Sequence, residues 1–204
     1  MDNVPGTKGY EKVVGKFIEV SQALNFSEVN RDFLKYLPSV AICVLDAGAG
    51  VGQNAAALAR LGHSVVAVEP MSTFLDAARS TYHGIGVTWV EDSLPWLKKL
   101  GDVPNQFSFI LVDGVWHHLD NNERVQAMVR FSTLLDNGGA CAISLRHGPA
   151  GVGTHVFPTD GRETAILAKQ CVLEVVLLLE NQPSIMKNKP RITWTRIVVR
   201  KRGD

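Results

Sequence analysis

A cluster of glycines between two apolar runs is the first feature of this sequence that could do chemistry. Residues 44–70 read VLDAGAGVGQNAAALARLGHSVVAVEP, with Gly48, Gly50 and Gly52 between a strand-like run and a helix-like run. Glycine lets the backbone turn tightly and come close to a ligand, and the helix that follows directs free N–H groups towards it. Glu69 ends the next strand, where a carboxylate can accept hydrogen bonds from both hydroxyls of an adenosine ribose. The stretch therefore predicts a nucleoside site.

The spacing of the glycines and the residue before them leave two kinds of ligand open. A dinucleotide-binding loop follows the pattern G-x-G-x-x-G/A, whose third small residue lets the helix pack closely on the strand. Here Gln53 holds that position, and the third glycine comes one place early. Asp46, beside the loop, suits a ligand with an ammonium group better than a pyrophosphate, because opposite charges attract. The spacing favours an amino-acid-bearing nucleoside, and a dinucleotide is the alternative.

The elements that must hold this loop alternate along the chain. Apolar runs predict seven strands, at residues 41–46, 64–69, 87–91, 107–113, 140–145, 172–179 and 192–199. Helical spacing predicts helices at 52–61, 72–82, 94–100, 122–135 and 161–170, and a helical region over 12–37. Strands that are apolar on both faces and alternate with helices predict an α/β fold with a parallel sheet covered on both sides. Residues 180–190 are too short and proline-rich for a crossover helix, so the last two strands should pair antiparallel.

Composition and charge limit the partners. The chain has 204 residues, a net charge of +1 and 46% hydrophobic residues, which is typical of a globular protein that attracts neither nucleic acid nor membrane. Cys43, Cys141 and Cys171 are widely spaced and odd in number, which favours reduced thiols in the cytoplasm. No signal peptide, membrane span or metal-ligand spacing is present in the sequence. We expect a cytoplasmic monomer or homodimer without a metal.

With this glycine spacing the chain resembles the class I S-adenosylmethionine-dependent methyltransferases, from about residue 44 to the C-terminus. Further segments resemble that family in order: the acidic strand end at 69–70, VEDSLPWL at 90–97, FSFILVDGVWHHL at 107–119 and LLDNGGACAISL at 134–145. The resemblance implies a Rossmann-like seven-stranded sheet, mostly parallel with an antiparallel last strand and with helices on both faces. It implies a methyltransferase domain over residues 41–204 and, within the same structural domain, a helical segment over residues 1–40 that is either a lid on the site or an ordinary cap on the sheet.

The resemblance also implies the cofactor and the residues that hold it. The cofactor would be S-adenosyl-L-methionine, and the product S-adenosyl-L-homocysteine. Asp46 would lie near the methionine ammonium, Glu69 would bind the ribose, and Asp92 with the Ser93 N–H would bind adenine. The other cofactor contacts that it implies are Gly48, Ala49, Gly50, Gly52, Pro70, Met71 and Asp113.

The acceptor end of the site is implied by two further segments. VWHHL at 115–119, paired with SLRHGP at 144–149, is similar to a bacterial group of small methyltransferases. Histidine can remove a proton near neutral pH, so the candidate catalytic residues are His118, His117 and Asp113. Arg146 beside a sulfonium calls for an anionic substrate, although a salt bridge to Asp113 or Glu163 would explain it equally well. The candidate substrate contacts are Tyr10, Trp116, Arg146 and His147.

The predicted function is therefore methyl transfer from S-adenosylmethionine to oxygen or nitrogen of a small molecule. Two alternatives remain at this point. One is an NAD(P)- or FAD-dependent oxidoreductase, because GHSVVAVE at 62–69 also resembles the second strand of a dinucleotide-binding domain. The other is a protein that binds S-adenosylmethionine without catalysis.

Overall fold

The molecule is built on one sheet whose strands alternate with helices. A computed structural model describes residues 4–186 and 189–203. The helices are α1 Val14–Gln22, α2 Phe26–Val29, α3 Gln53–Arg60, α4 Ser72–Thr81, α5 Asn121–Leu134 and α6 Gly161–Gln170. The strands are β1 Cys43–Ala47, β2 Ser64–Val68, β3 Val87–Val90, β4 Phe107–Val112, β5 Leu135–His147, β6 Leu173–Pro183 and β7 Thr193–Lys201.

The seven strands form one sheet in the order β3-β2-β1-β4-β5-β7-β6. Strands β1 to β5 pair parallel with their neighbours, and β7 runs antiparallel to both β5 and β6. The predicted seven-stranded α/β sheet and its closing hairpin are thus confirmed. The strand order reverses between β1 and β4, and open sheets bind ligands at the carboxyl edge of such a switch point.

Both faces of the sheet are buried against helices. Leu45 of β1 packs on one side in a cluster that includes Phe131 of α5. Its neighbour Val44 packs on the other side with Leu58 of α3. Successive side chains of a strand point to opposite faces, so an unbroken apolar run produces two cores.

Several elements differ from the sequence prediction. Only a single turn, Lys98–Leu100, forms where a helix was predicted over 94–100, because Leu97 takes a left-handed conformation with φ of 48° that interrupts a helix. The helical region over 12–37 is divided, with α2 starting afresh at Asn25, whose side chain accepts the Glu28 N–H. Strand β5 starts five residues early, with a register shift opposite Phe107 and Phe109.

Across the described parts of the chain, no helix is both long and apolar enough to cross a membrane.

Candidate active site

The glycine loop joins β1 to α3 at the carboxyl edge of the sheet. The N–H groups of Gly48 and Ala49 donate to the Val68 carbonyl of β2, at 2.8 and 2.9 Å. A Cβ on Gly48 would lie 2.3 Å from Val115, so this position tolerates no side chain. A Cβ on Gly50, whose φ is 56°, would meet nothing closer than the Phe17 ring at 4.0 Å. The loop is therefore tightly anchored at Gly48 and leaves room for a ligand at Gly50.

Two buried carboxylates flank the loop. Glu69 accepts the Gly50 N–H at 3.0 Å and the Met71 N–H at 2.9 Å. Burial raises the pKa of Glu69 to about 7, although these two hydrogen bonds act to lower it. Burial also raises the pKa of Asp46 to about 8; nearby Asp113 adds to the rise and the Ala55 backbone N–H opposes it.

Asp46 also carries an unmet acceptor. Its Oδ2 atom is buried and finds no hydrogen-bond partner among the described residues. A buried acceptor without a donor costs free energy, and an ammonium group would supply both donors and opposite charge. This orphaned oxygen, together with the open backbone at Gly50, fits a nucleoside that bears an amino acid.

The segment after β3 is organised by Asp92. Its carboxylate accepts the Ser93 N–H at 2.8 Å and the Lys99 N–H at 2.6 Å. The Ser93 N–H that the resemblance directs to an adenine ring is therefore donated to Asp92 in this structure. Both residues are half-buried at the same sheet edge as the glycine loop.

Asp113, at the end of β4, is held in a polar network. Its Oδ1 accepts the Ser144 hydroxyl at 2.6 Å, and its Oδ2 accepts the Asn54 side-chain N–H at 3.3 Å. Arg196 of β7 completes the network with an ion pair at 3.4 Å, in which its side chain is only 8% exposed. Since this carboxylate already has three side-chain partners, we assign it to positioning the loop after β4. It is Arg196, rather than Arg146, that pairs with Asp113.

His118 lies in the turn between β4 and α5. The N-terminal cap of α5 fixes the end of that turn. Asp120 caps α5, because its carboxylate accepts the Glu123 N–H while Glu123 accepts the Asp120 N–H, each at 2.8 Å. The His118 Nδ1 atom lies 2.8 Å from the His155 carbonyl, which can only accept, so Nδ1 carries the proton. In the neutral ring, Nε2 then accepts the Tyr10 hydroxyl at 3.1 Å.

Tyr10 brings the N-terminal segment onto this edge of the sheet. Its ring packs edge-on against Phe17, Phe74 and His118. Burial, and secondarily Glu69, raises the pKa of Tyr10 to about 12, although Arg146 opposes the rise. The Lys8 carbonyl accepts the Thr154 N–H at 2.9 Å, which fastens the segment to the loop that follows β5.

A cavity of about 290 Å³ opens beyond the ends of β4 and β5. His117 contributes an Nδ1 atom that is buried without a hydrogen-bond partner among the described residues. Burial, with neighbouring His118 and Arg146, lowers the pKa of His117 to about 2, so this imidazole is neutral. The residues that line the cavity are His117, Arg146, His147, Gly148 and residues 156–159.

The remaining predicted contacts are placed differently. His147 lines the cavity, but Nε2 lies 2.8 Å from the Thr195 hydroxyl and Nδ1 lies 3.3 Å from the Thr159 hydroxyl, so both ring nitrogens have protein partners. Trp116 is fully buried and packs near Phe131, and we assign it to the core. Pro70 and Met71 follow β2 beside Glu69.

Sequence reasoning missed Asn54 and Arg196. Asn54 joins Asn30 of the N-terminal segment to Asp113, through hydrogen bonds of 3.2 and 3.3 Å. Arg196 was detectable as a cation directly before the apolar residues Ile197–Val199 of β7, where burial requires a partner. No group of three potential metal ligands occurs in residues 4–186 and 189–203.

Solved structures share this fold. A TehB-like S-adenosylmethionine-dependent methyltransferase from Corynebacterium glutamicum has 19% identity and a TM-score of 0.69 over 94% of this chain and 97% of its own. The 1,6-didemethyltoxoflavin-N1-methyltransferase of Burkholderia thailandensis has 19% identity and a TM-score of 0.70 over 96% and 85%. Magnesium protoporphyrin IX methyltransferase from Synechocystis has 14% identity and a TM-score of 0.67 over 96% and 88%.

Part of the sequence matches a known family. Residues 44–139, from within β1 to within β5, match the family described as methyltransferase domain. No curated protein matches the chain significantly. The fold is that of class I S-adenosylmethionine-dependent methyltransferases, and the sequence match indicates a methyltransferase domain in residues 44–139.

Proposed function

We propose that this enzyme methylates oxygen or nitrogen of a small molecule that binds in the cavity beside His117. The cavity carries the proposal, because it lies at the carboxyl edge of the sheet and is lined by His117, whose ring centroid lies 4.1 Å from that of His118. Its volume of about 290 Å³ is near the lower end of small-molecule sites. Related folds act on such molecules, including 1,6-didemethyltoxoflavin and magnesium protoporphyrin IX.

The cofactor contacts follow from the loop and its two carboxylates. When bound, S-adenosylmethionine supplies an electrophilic methyl group. We assign Glu69 to the ribose hydroxyls, because its carboxylate lies beside the Gly50 N–H in the open part of the loop. Asp46 would accept the ammonium through its unpaired Oδ2. Asp92 and Ser93 would bind adenine after the Ser93 N–H exchanges its present partner.

The main contribution of the chain's residues to catalysis is to align the acceptor with the methyl group. A reaction at a methyl group needs its nucleophile held in line, and correct orientation can supply several kcal/mol of the barrier. The cavity would hold the acceptor on one side, and the Gly50 backbone would hold the cofactor on the other. The N-terminal segment up to Tyr10 acts as the lid in this proposal. Lys8 holds it to Thr154, and Tyr10 holds it to His118.

The Tyr10–His118 pair provides a route for the acceptor's proton. Tyr10 already donates its hydroxyl proton towards His118 Nε2. As the acceptor's O–H or N–H proton moves to the Tyr10 oxygen, the Tyr10 proton moves to His118. Burial lowers the pKa of His118, and the hydrogen bond to the His155 carbonyl opposes this shift by stabilising the cation. His117 fits a hydrogen-bonding role, since its lowered pKa makes it a weak base.

A methyl-transfer assay tests the proposal. The full-length protein would be incubated with S-adenosylmethionine and a panel of small phenols, amines and hydroxy acids, and release of S-adenosylhomocysteine would be measured. We expect turnover with at least one O or N acceptor. Binding of S-adenosylhomocysteine without methylation of any acceptor would contradict the proposal and favour a binding protein.

A further inference from the structure

Arg146 presents a positive charge to the acceptor cavity without a carboxylate partner. It is the penultimate residue of β5, it is half-buried, and its side chain lines the cavity. The ion pairs of the described residues join other side chains, among them Arg196–Asp113 and Arg162–Glu180. Burial lowers the pKa of Arg146, which means that its charge is incompletely solvated. Arg146 is thus a partly desolvated cation, and an anionic ligand in the cavity would supply its partner.

The other groups around Arg146 do not neutralise it. Burial, followed by the charge of Arg146, lowers the pKa of Lys189 in the loop between β6 and β7. Tyr10 stays a neutral phenol because its pKa is raised to about 12. Two carboxylates act on His147 in the cavity wall: Asp160, which caps α6 by accepting two backbone N–H groups, and Glu180, which pairs with Arg162. The cavity is therefore electropositive.

His117 adds an independent sign of a missing partner. The residue is only 6% exposed and lines the same cavity, and its Nδ1 atom has no hydrogen-bond partner within the described part of the chain. A buried polar atom without a partner costs about 1–3 kcal/mol. A ligand in the cavity that reached both Arg146 and His117 would meet both needs at once.

We propose that this cavity is an oxyanion subsite, so that the methyl acceptor carries a carboxylate or phosphate group held by Arg146 beside His117. The inference rests on the proposed function and narrows its substrate class. The anionic end of the acceptor would lie against Arg146, and the nucleophile would point towards Tyr10 and His118. The guanidinium can bind either oxyanion through two parallel hydrogen bonds.

A set of probes on one scaffold tests the subsite. Protein saturated with S-adenosylhomocysteine would be titrated with 4-hydroxybenzoate, 4-hydroxyphenyl phosphate and neutral 4-hydroxybenzamide by calorimetry. We expect at least one charged probe to bind about tenfold or more tightly than the amide, as losing a hydrogen bond to a charged group implies. The stronger of the two charged probes identifies carboxylate or phosphate as the natural group.

Two variants test whether Arg146 causes the preference for the charged probes. R146M should remove the charge preference and leave S-adenosylhomocysteine affinity within about twofold, whereas R146K should retain part of it because the charge remains. The matched control is R202M, an exposed arginine in the C-terminal tail, which should change nothing.

Three results would overturn the inference: equal binding of the amide, no binding of any probe, or a charge preference that survives in R146M. Failure of S-adenosylhomocysteine itself to bind would instead contradict the proposed function, so the two failures are distinguishable.

Discussion

The three histidines at the sheet edge have the same side chain but different chemistry, because their ring nitrogens have different partners. Both nitrogens of His147 contact threonine hydroxyls, which fixes the ring as a wall of the cavity. His118 is oriented by the His155 carbonyl and has Nε2 directed at Tyr10. The Nδ1 atom of His117 is buried and has no hydrogen-bond partner among residues 4–186 and 189–203. We therefore assign proton transfer to His118 and acceptor binding to His117.

Tyr10→Phe tests the proton route at the level of one hydroxyl. The variant keeps the aromatic contacts with Phe17 and Phe74 but removes the group that lies 3.1 Å from His118 Nε2. We expect kcat to fall about 10²-fold or more, as for the loss of general acid–base assistance. The dissociation constant of S-adenosylhomocysteine should change little.

Tyr36→Phe is the matched control for that variant. It also removes one tyrosine hydrogen bond, to the Val176 carbonyl at 2.9 Å, but in the N-terminal segment beside β6. It should cost about 1 kcal/mol of stability and leave kcat unchanged. Full activity in Tyr10→Phe would remove the hydroxyl from the mechanism.

At the scale of elements, Asp113 joins parts of the chain that are distant in sequence. Its hydrogen bonds and ion pair reach α3 through Asn54, β5 through Ser144 and β7 through Arg196. Arg196 also donates to the Val29 carbonyl of α2 and stacks on Phe33 at 5.4 Å. The network thus couples the antiparallel end of the sheet to the N-terminal segment.

Arg196→Met should destabilise the protein strongly. Removing one partner of a buried pair leaves the Asp113 carboxylate uncompensated, which costs about 3–5 kcal/mol in the free energy of unfolding. Urea denaturation followed by circular dichroism would measure the change. Arg162→Met, which breaks an exposed pair with Glu180, is the control and should cost less than about 1 kcal/mol. Equal effects of the two variants would contradict the assigned role.

The elements themselves could largely be predicted from sequence, and their long-range partners could not. The apolar runs and the short link between β6 and β7 indicate a mostly parallel sheet with a closing hairpin, because those signals are local. The early start of β5 depends on pairing with Phe107 across the sheet, which outweighs the turn-like Gly138 and Gly139. Likewise, the partner of Asp113 lies 83 residues away in Arg196, a contact that no local pattern encodes.

In the site, too, residues close in sequence could be predicted together, and partners from distant segments could not. The glycine loop, Glu69 and Asp46 follow one another within a short stretch, so their association could be predicted from spacing. The partners of the histidine nitrogens could not, because Tyr10, His155 and Thr195 come from remote segments. Arg146 was open to either a salt bridge or a ligand, and only the structure shows its place on the cavity wall.

At the scale of the whole molecule, buried acid groups make stability depend on pH. The folded protein retains protons on Asp46 and Glu69, with pKa values of about 8 and 7, that the unfolded chain releases near pH 4. The folded state therefore binds more protons between these values, so the free energy of unfolding should fall as pH rises from about 4 to 8.

Denaturant unfolding of the cofactor-free protein at pH 6 and pH 8.5 would measure this effect. We expect a loss of at least about 1 kcal/mol at the higher pH, and a smaller loss in Asp46→Asn, which cannot ionise. A cationic ligand favours the ionised carboxylates, so affinity for S-adenosylmethionine should increase over the same range. Stability that rises with pH would show that these carboxyls ionise in the folded protein well below neutrality.

The most direct test of the central claim is calorimetric titration of the protein with S-adenosylhomocysteine and, separately, with NAD. We expect S-adenosylhomocysteine to bind and NAD not to bind. Glu69→Ala should weaken S-adenosylhomocysteine binding by about 1.5–3 kcal/mol, because the ribose loses hydrogen bonds to a charged group, while Glu174→Ala, on the exposed side of β6, should bind normally. Binding of NAD without S-adenosylhomocysteine, or an unchanged dissociation constant in Glu69→Ala, would contradict the account.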